Sequence, residues 1–263
     1  TTHEALLKDV QSHPITEEIR HIDFHKLTPG VKVIVEIPIK VVGSSPGVKE
    51  GGKLLVKVRK VKVKSTPENL KDVITYCECH DNNTLWDKLY LSYPEASKED
   101  ITKMHQLSLA IVLTSQGIPF LHAGTELLRD KKGVENSFNS GDSINEIDWG
   151  LKTKHIATFN LVQQLIKIRK AHPAFRMTTN GLMSKNIRFE EQSAAGIIAY
   201  TINGAAVKDT WKKIFVVFNG NAEEKEIHLP RGKWNTAVNT GAAIKTASGI
   251  VSIGKYSAVV LYQ

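Results

Sequence analysis

The chain has 263 residues, 41% hydrophobic, 24% charged and 7% aromatic, with 18 glycines and 9 prolines. This is a globular composition and excludes collagen-like, disordered and disulfide-scaffold classes. The formal charge is +8, from 35 Lys+Arg against 27 Asp+Glu, and no apolar run approaches the roughly 20 residues of a membrane-spanning helix.

In chain order, residues 1–66 read as β. The start, Thr1-Thr2-His3-Glu4, lacks a basic segment and an apolar stretch, so no signal peptide is expected. Val31, Val33, Val35, Ile37 and Ile39 alternate with Lys32, Glu36, Pro38 and Lys40, the period of a half-buried strand. Pro38 lacks a ladder donor, which places that strand at an edge or a bulge. Turn chemistry follows at Gly43-Ser44-Ser45-Pro46-Gly47 and Gly51-Gly52. The next strand moves from Val56 and Val58 to Val61 and Val63, the one-residue shift of a bulge near Arg59-Lys60. The stretch from Lys53 to Lys64 carries six basic residues and no acidic one. It is either a solvated strand face or a patch facing nucleic acid.

After Pro67 the character changes. Val73 to Cys79 reads as a short strand covered on both faces. Within it Cys77 and Cys79 lie two apart, near the upper distance limit for a disulfide on a strand, so buried thiols are expected and no metal site. Ser97 opens a helix with Glu99 and Asp100 in its first turn and Gly117 placed to end it. Ile118 to Leu121 reads as a second buried strand, and about Lys154 to Ala171 as a helix with Phe159, Leu161, Val162, Leu165 and Ile168 inward. Strand, helix, strand, helix is the alternation of a parallel sheet or barrel. From about Ile187 short strands return: Ile197–Ile202, Ile214–Phe218, Lys225–Leu229, Trp234–Val238 and Ser257–Tyr262. Turn signals separate them at sandwich-like spacing. The fold class expected is therefore mixed α/β. It comprises a β-rich piece at 1–73, an incomplete (β/α) barrel segment at 74–178, and a C-terminal antiparallel β-sandwich at 179–263.

The most chemical-looking string is Cys79-His80-Asp81-Asn82-Asn83-Thr84-Leu85-Trp86-Asp87. Following a strand, His80 and Asp81 would project from its carboxyl end, where barrel enzymes gather catalytic side chains. Such a cluster can hydrogen-bond sugar hydroxyls, and a carboxylate can stabilise developing positive charge. The alternative is a loop whose Asp and Asn cap the next element.

The segment ITYCECHDNNTLWDKL, residues 74–89, resembles the last sequence signature of the alpha-amylase superfamily in its pullulanase-like branch. The likeness continues through residues 113–129, 137–149 and 165–177, and the end GKYSAVVLYQ is similar to that family's small C-terminal β domain. The resemblance implies an α-glucan such as pullulan as partner, no cofactor and no metal. It implies Asp81 as transition-state stabiliser with His80 beside it, and Asn82, Asp142 and Asn145 as substrate contacts. His122 and Glu126 match rim positions and are read as structural; His172 is read as a helix-ending residue. In this family the nucleophile and acid/base precede the His-Asp-Asn signature, and nothing before residue 74 has the Arg-x-Asp pattern that supplies the nucleophile. Retaining hydrolysis needs two carboxyl groups, so the chain alone is expected not to hydrolyse glucan.

Residues 6–27, LLKDVQSHPITEEIRHIDFHKL, resemble the end of the RNA-binding domain of the large-subunit ribosomal protein that binds 5S ribosomal RNA (the general-stress CTC family). Residues 35–54 resemble the longer members' second β domain. This implies contacts to 5S RNA by Lys8, Gln11, His21 and Asp23, with a phosphate partner for Lys8 and hydrogen bonds to sugars or base edges for the others. The ribosomal likeness implies a cytoplasmic location, whereas a glucan hydrolase could be exported; no membrane partner is expected. The two resemblances meet at Asp72-Val73-Ile74-Thr75 with no Gly/Ser- or Pro-rich linker. A seam of that kind points to a composite of two partial genes, which need not have a coherent activity.

Overall fold

The computed structural model describes residues 5–12, 19–26, 33–38, 60–65, 73–192, 194–241 and 249–263, the first four segments as backbone strands only. Two compact units divide the chain, residues 1–69 and 70–263. In the first unit β1 (Ala5–Ser12) pairs antiparallel with β2 (Ile19–Lys26), and β3 (Val33–Pro38) with β4 (Lys60–Ser65). Each is a two-stranded sheet among the described residues, so Pro38 lies on an edge strand, as its missing N–H requires, at the last paired position opposite Lys60. The turns at 43–47 and 51–52, the expected bulge near Arg59-Lys60, and half of the basic run lie outside the described residues.

The second unit opens with β5 (Ile74–Thr75), which pairs in parallel with β6 (Ile118–Pro119). Both expected strands here are corrected: they are two residues long, and Val73, Ile74, Tyr76, Ile118 and Phe120 are exposed. Among the described residues each of these strands has one paired neighbour and no wider sheet to cover both faces; Tyr76 and Phe120 meet edge to face at 6.1 Å. Cys77 and Cys79 are free and half-buried rather than fully buried, and desolvation pushes the Cys77 thiol up to about 11.

Between these strands lie α1 (Leu85–Ser92) and α2 (Lys98–Thr114). Thr84 and Ser97 cap them, each hydroxyl accepting from the backbone N–H three residues on, at Asp87 and Asp100. The end of α2 is corrected: it stops at Thr114 with extended Ser115 as its cap, and Gly117 takes a positive φ of 87° beyond it. The second expected helix is α5 (Ile156–Ala171), which starts two residues late, after non-helical His155; α4 (Leu151–Lys154) and the one-turn α3 (Asp142–Asn145) precede it.

The helix α6 (Asn180–Asn186) leads into a five-stranded antiparallel sheet. Its strands are β7 (Ile187–Phe189), β8 (Ile197–Asn203), β9 (Lys213–Asn219), β11 (Asn235–Asn239) and β13 (Ser257–Tyr262), in spatial order β11-β13-β9-β8-β7. A separate pair joins β10 (Lys225–His228) to β12 (Ile250–Ile253). Alternate residues of the central strands enter two cores. Ile214, Val216 and Phe218 pack with Leu109, Leu113, Val162 and Leu165 of α2 and α5. Phe215 and Val217 pack with Ile227, Val251, Ile253 and Trp234. Apolar cover on both faces explains why β9 is buried from Ile214 to Asn219 instead of alternating. The first of these cores draws on both sides of residue 178. α6, β7 and β12 carried no clear sequence signal, because each is short.

Candidate functional site

β5 and β6 are parallel, so the segments leaving their carboxyl ends, Tyr76 onward and Phe120 onward, emerge side by side. The first carries His80, Asp81 and Asn82. It does not follow the strand directly: Tyr76 to Cys79 intervene without ladder bonds. His80 and Asp81 are exposed, with Nδ1 3.2 Å from Oδ1, while Asn82 has a left-handed φ of 64°, a conformation asparagine tolerates. The turn therefore presents an imidazole, a carboxylate and an amide to solvent, with the tandem tied to the body from beneath.

The ties are buried polar groups. Asp87 accepts from the Thr84 hydroxyl at 2.9 Å and from the Lys131 N–H at 2.7 Å, joining the start of α1 to the following loop. Lys131 is only 4% exposed. Its Nζ donates to the Ser137 hydroxyl at 2.7 Å and to the His80 carbonyl at 3.3 Å. Asn83 donates to the Gly133 carbonyl at 3.2 Å. Below, Trp86, Ile101, Met104 and Leu128 form a small apolar cluster.

Asp142 begins α3 and is exposed; Asn145 ends it half-buried. The Asn145 amide donates at 2.7 Å to the carbonyls of both Ser137 and Ser140, and its own carbonyl accepts from Arg129. Thus Lys131, Ser137 and Asn145 connect the His80 backbone to the loop that holds Asp142. Asn145 acts here as a loop tie, and Asp142 is the more available of the two. His122 is largely covered, with Nδ1 4.0 Å from the Glu78 carboxylate, and Glu126 is half-buried in the turn Thr125–Leu127. Sequence reasoning passed over Glu78, Asp87, Arg129 and Lys131, since charged residues ordinarily face water.

His172 ends α5 and is buried. Its Nδ1 lies 2.7 Å from Asp209, and its ring stacks on Trp211 at 3.5 Å, which stacks in turn on Tyr262. Burial raises the Asp209 carboxyl, but hydrogen bonds from His172, Ala174 and Trp211 outweigh it and leave the pKa lowered. This cluster braces the helical layer against β13 and lies in the packed interior.

Of the residues expected to meet RNA, Gln11 and His21 are direct cross-strand partners on β1 and β2. Asp23 pairs with Asp9, and Lys8 is the extra residue at the register shift between Leu7 and Asp9. Among the described residues no group of three or more His, Cys, Asp or Glu could hold a metal, and no helix is long and apolar enough to cross a membrane.

Comparison with known proteins divides the chain as the two resemblances do. Residues 183–242 match the family model "Pullulanase, all-beta domain" and residues 32–76 match "Ribosomal protein TL5, C-terminal domain". The pullulanase of Bacillus subtilis (strain 168) is 36% identical over 157 residues, 60% of this chain and 22% of that one. The large ribosomal subunit protein bL25 of Porphyromonas gingivalis is 45% identical over 64 residues, 24% of this chain and 33% of that one. Among solved structures, the pullulanase from Bacillus acidopullulyticus gives a TM-score of 0.70 at 38% identity, covering 73% of this chain and 24% of that one. The pullulanase from Anoxybacillus sp. LM18-11 complexed with maltotetraose gives 0.71 at 36%, covering 74% and 28%. The chain joins a bL25-like segment to a pullulanase-like one, and each part spans well under half of the relatives it matches, from 22% to 39% of their length.

Proposed function

We propose that residues 74–263 are the carboxyl-terminal part of a pullulanase-type, α-glucan-debranching glycoside hydrolase, with His80, Asp81 and Asn82 as its sugar-contacting turn. The observation that carries this reading is the exposure of that turn at the carboxyl end of a parallel strand pair, in a fold that matches solved pullulanases at a TM-score of 0.70. Under this reading β5, α1, α2 and β6 are a piece of a (β/α) barrel. The five-stranded sheet with the β10–β12 pair is the C-terminal sandwich. Asp81 would stabilise the oxocarbenium-like charge, His80 would orient the sugar hydroxyl beside it, and Asn82 and Asp142 would donate to or accept from neighbouring hydroxyls. The nucleophile and the acid/base are missing from this chain, so it holds sugar without cleaving it. Purified protein should release no reducing sugar from pullulan and should bind maltotriose, with Asp81→Ala weakening binding about tenfold, roughly 1.4 kcal/mol. Turnover of pullulan would overturn the incomplete-site reading; a wild-type protein that ignores maltotriose would overturn the sugar reading.

A second reading is favoured by the match of residues 32–76 to a ribosomal-protein domain: residues 1–72 bind 5S RNA through Lys8, Gln11, His21 and Asp23, in the cytoplasm. Its mark would be an affinity for 5S RNA that falls steeply with salt, in proportion to the phosphates neutralised. If neither ligand binds, the chain is a composite of two partial genes without a coherent activity.

A further inference from the structure

Glu78 is 6% exposed although it lies two residues from exposed His80. Its Oε2 accepts from the Leu85 N–H at 2.6 Å, and the Thr125 side chain beside it favours the charged carboxylate. Leu85 opens α1, so one carboxylate oxygen joins the last residue before the His80 turn to the first helical residue after it. Everything from Cys79 to Thr84 is enclosed between those two points. Thr125 places the segment following β6 beside the clasp. From that segment His122 presents a buried Nδ1 with no hydrogen-bond partner to the same carboxylate oxygen, 4.0 Å away.

We propose that Glu78 is the positioning residue of the His80–Asp81–Asn82 turn: its carboxylate clasps the two ends of the turn and, with His122 beside it, makes the turn's geometry sensitive to a single proton. The sugar-binding consequence rests on the reading of the preceding section, whereas the clasp itself does not. The groups that face Glu78 are His122 after β6, Arg129 and Lys131 in the next loop, and Cys77 on its own segment. Burial raises the Glu78 carboxyl above its ordinary 4.5, against the Thr125 side chain, the hydrogen bond from Leu85 and the charges of Arg129 and Lys131. Burial, then Arg129, Lys131 and His80, lower His122 below its ordinary value. A carboxylate accepts more strongly than a carboxylic acid. Protonating Glu78 therefore loosens the clasp as the pH falls through its raised pKa.

The test is amide hydrogen exchange at Leu85 in the full chain, corrected for intrinsic rates and read against Val216 and Val217 in the sheet core. Glu78→Ala should speed exchange at Leu85 at least tenfold and leave the core amides unchanged, while Glu78→Gln, which keeps an acceptor oxygen, should restore protection. Relative to Val216 and Val217, the wild type should lose Leu85 protection as the pH falls through the raised Glu78 pKa, and that relative step should vanish in Glu78→Gln. Unchanged Leu85 exchange in Glu78→Ala, or an acid step that persists in Glu78→Gln, overturns the proposal; should Glu78→Ala fail to fold, the Gln comparison decides alone. Maltotriose titration separates the two readings. Loss of affinity in Glu78→Ala with restoration in Glu78→Gln supports the positioning role, and undiminished affinity in Glu78→Ala overturns it. Absence of binding by the wild type overturns the sugar reading and leaves the clasp to be judged by exchange.

Discussion

His105 shows how a single buried polar residue sets a pH limit. It is fully buried in α2; Nε2 lies 2.8 Å from the Thr125 carbonyl, and Nδ1 has no partner. The neutral ring satisfies this arrangement by donating from Nε2 and leaving Nδ1 as a bare acceptor. Charging it would add an unpaired donor in the core, and desolvation accordingly lowers its pKa to about 4. Between that value and an unfolded value near 6.5 the unfolded chain binds the extra proton, so stability rises with pH across this window. The contribution is complete above about pH 6.5 and is lost as the pH falls toward 4, on the order of 3 kcal/mol in all. Denaturant unfolding of wild type and His105→Gln from pH 7 to 4 checks it: the wild type should lose the larger share of its stability. Sequence alone places His105 on a helix but not in its core, because one histidine among apolar neighbours carries no mark of its burial. The same holds for Lys131, which meets Asp87 and the His80 carbonyl 44 and 51 residues away in the chain, and for Glu78, whose neighbour His122 arrives from the segment after β6.

At the scale of elements, the Ser97 start of α2 and the Ala171 end of α5 were legible, whereas α1 with its Thr84 cap and the end of α2 were not. Thr84 and Ser97 carry their caps locally, as hydroxyls three residues before the N–H they satisfy. The end of α2 is held by a distant residue. Arg169 on α5 donates to the carbonyls of Leu113 at 3.0 Å, Ser115 at 2.5 Å and Gly117 at 2.6 Å. It is buried, and it supplies the orphan carbonyls of one helix from the side of another. Arg169→Met keeps the aliphatic stem and removes every donor, so three covered carbonyls lose their partner at a cost of about 3 kcal/mol. Thermal or urea unfolding should register that loss, with Arg169→Lys recovering part of it. The strands β9 and β13 were located closely because short continuous apolar runs bounded by turn residues are strong signals. β5 and β6 were misjudged as covered strands, since apolar content reports what a segment would bury and not whether neighbours exist.

For the whole molecule, the two units raise the question of independent stability. Residues 70–263 contain both faces of the five-stranded sheet and the clusters that cover them. This unit should fold when expressed alone, with a melting transition within about 2 °C of that in the full chain, a shift that corresponds to less than 1 kcal/mol at this size. Calorimetry of both proteins decides; a fragment without a cooperative transition would show that the first unit is needed for the core of the second. The exposed side chains of Val73, Ile74, Tyr76, Ile118 and Phe120 lie on one small parallel pair and set the fragment's tendency to associate.

The two-part resemblance, the Ser97 cap, the strongest strands and the His80–Asp81–Asn82 turn could be read from the chain alone, because each is written in contiguous residues whose chemistry acts locally. The interior places of Glu78, Asp87 and Lys131, the use of Arg169 to finish another element, and the openness of the paired strands at the turn's base came from the folded arrangement. Those outcomes depend on what a side chain meets across many intervening residues. Hydrogen-bond satisfaction and desolvation are properties of that meeting, and no local pattern encodes them.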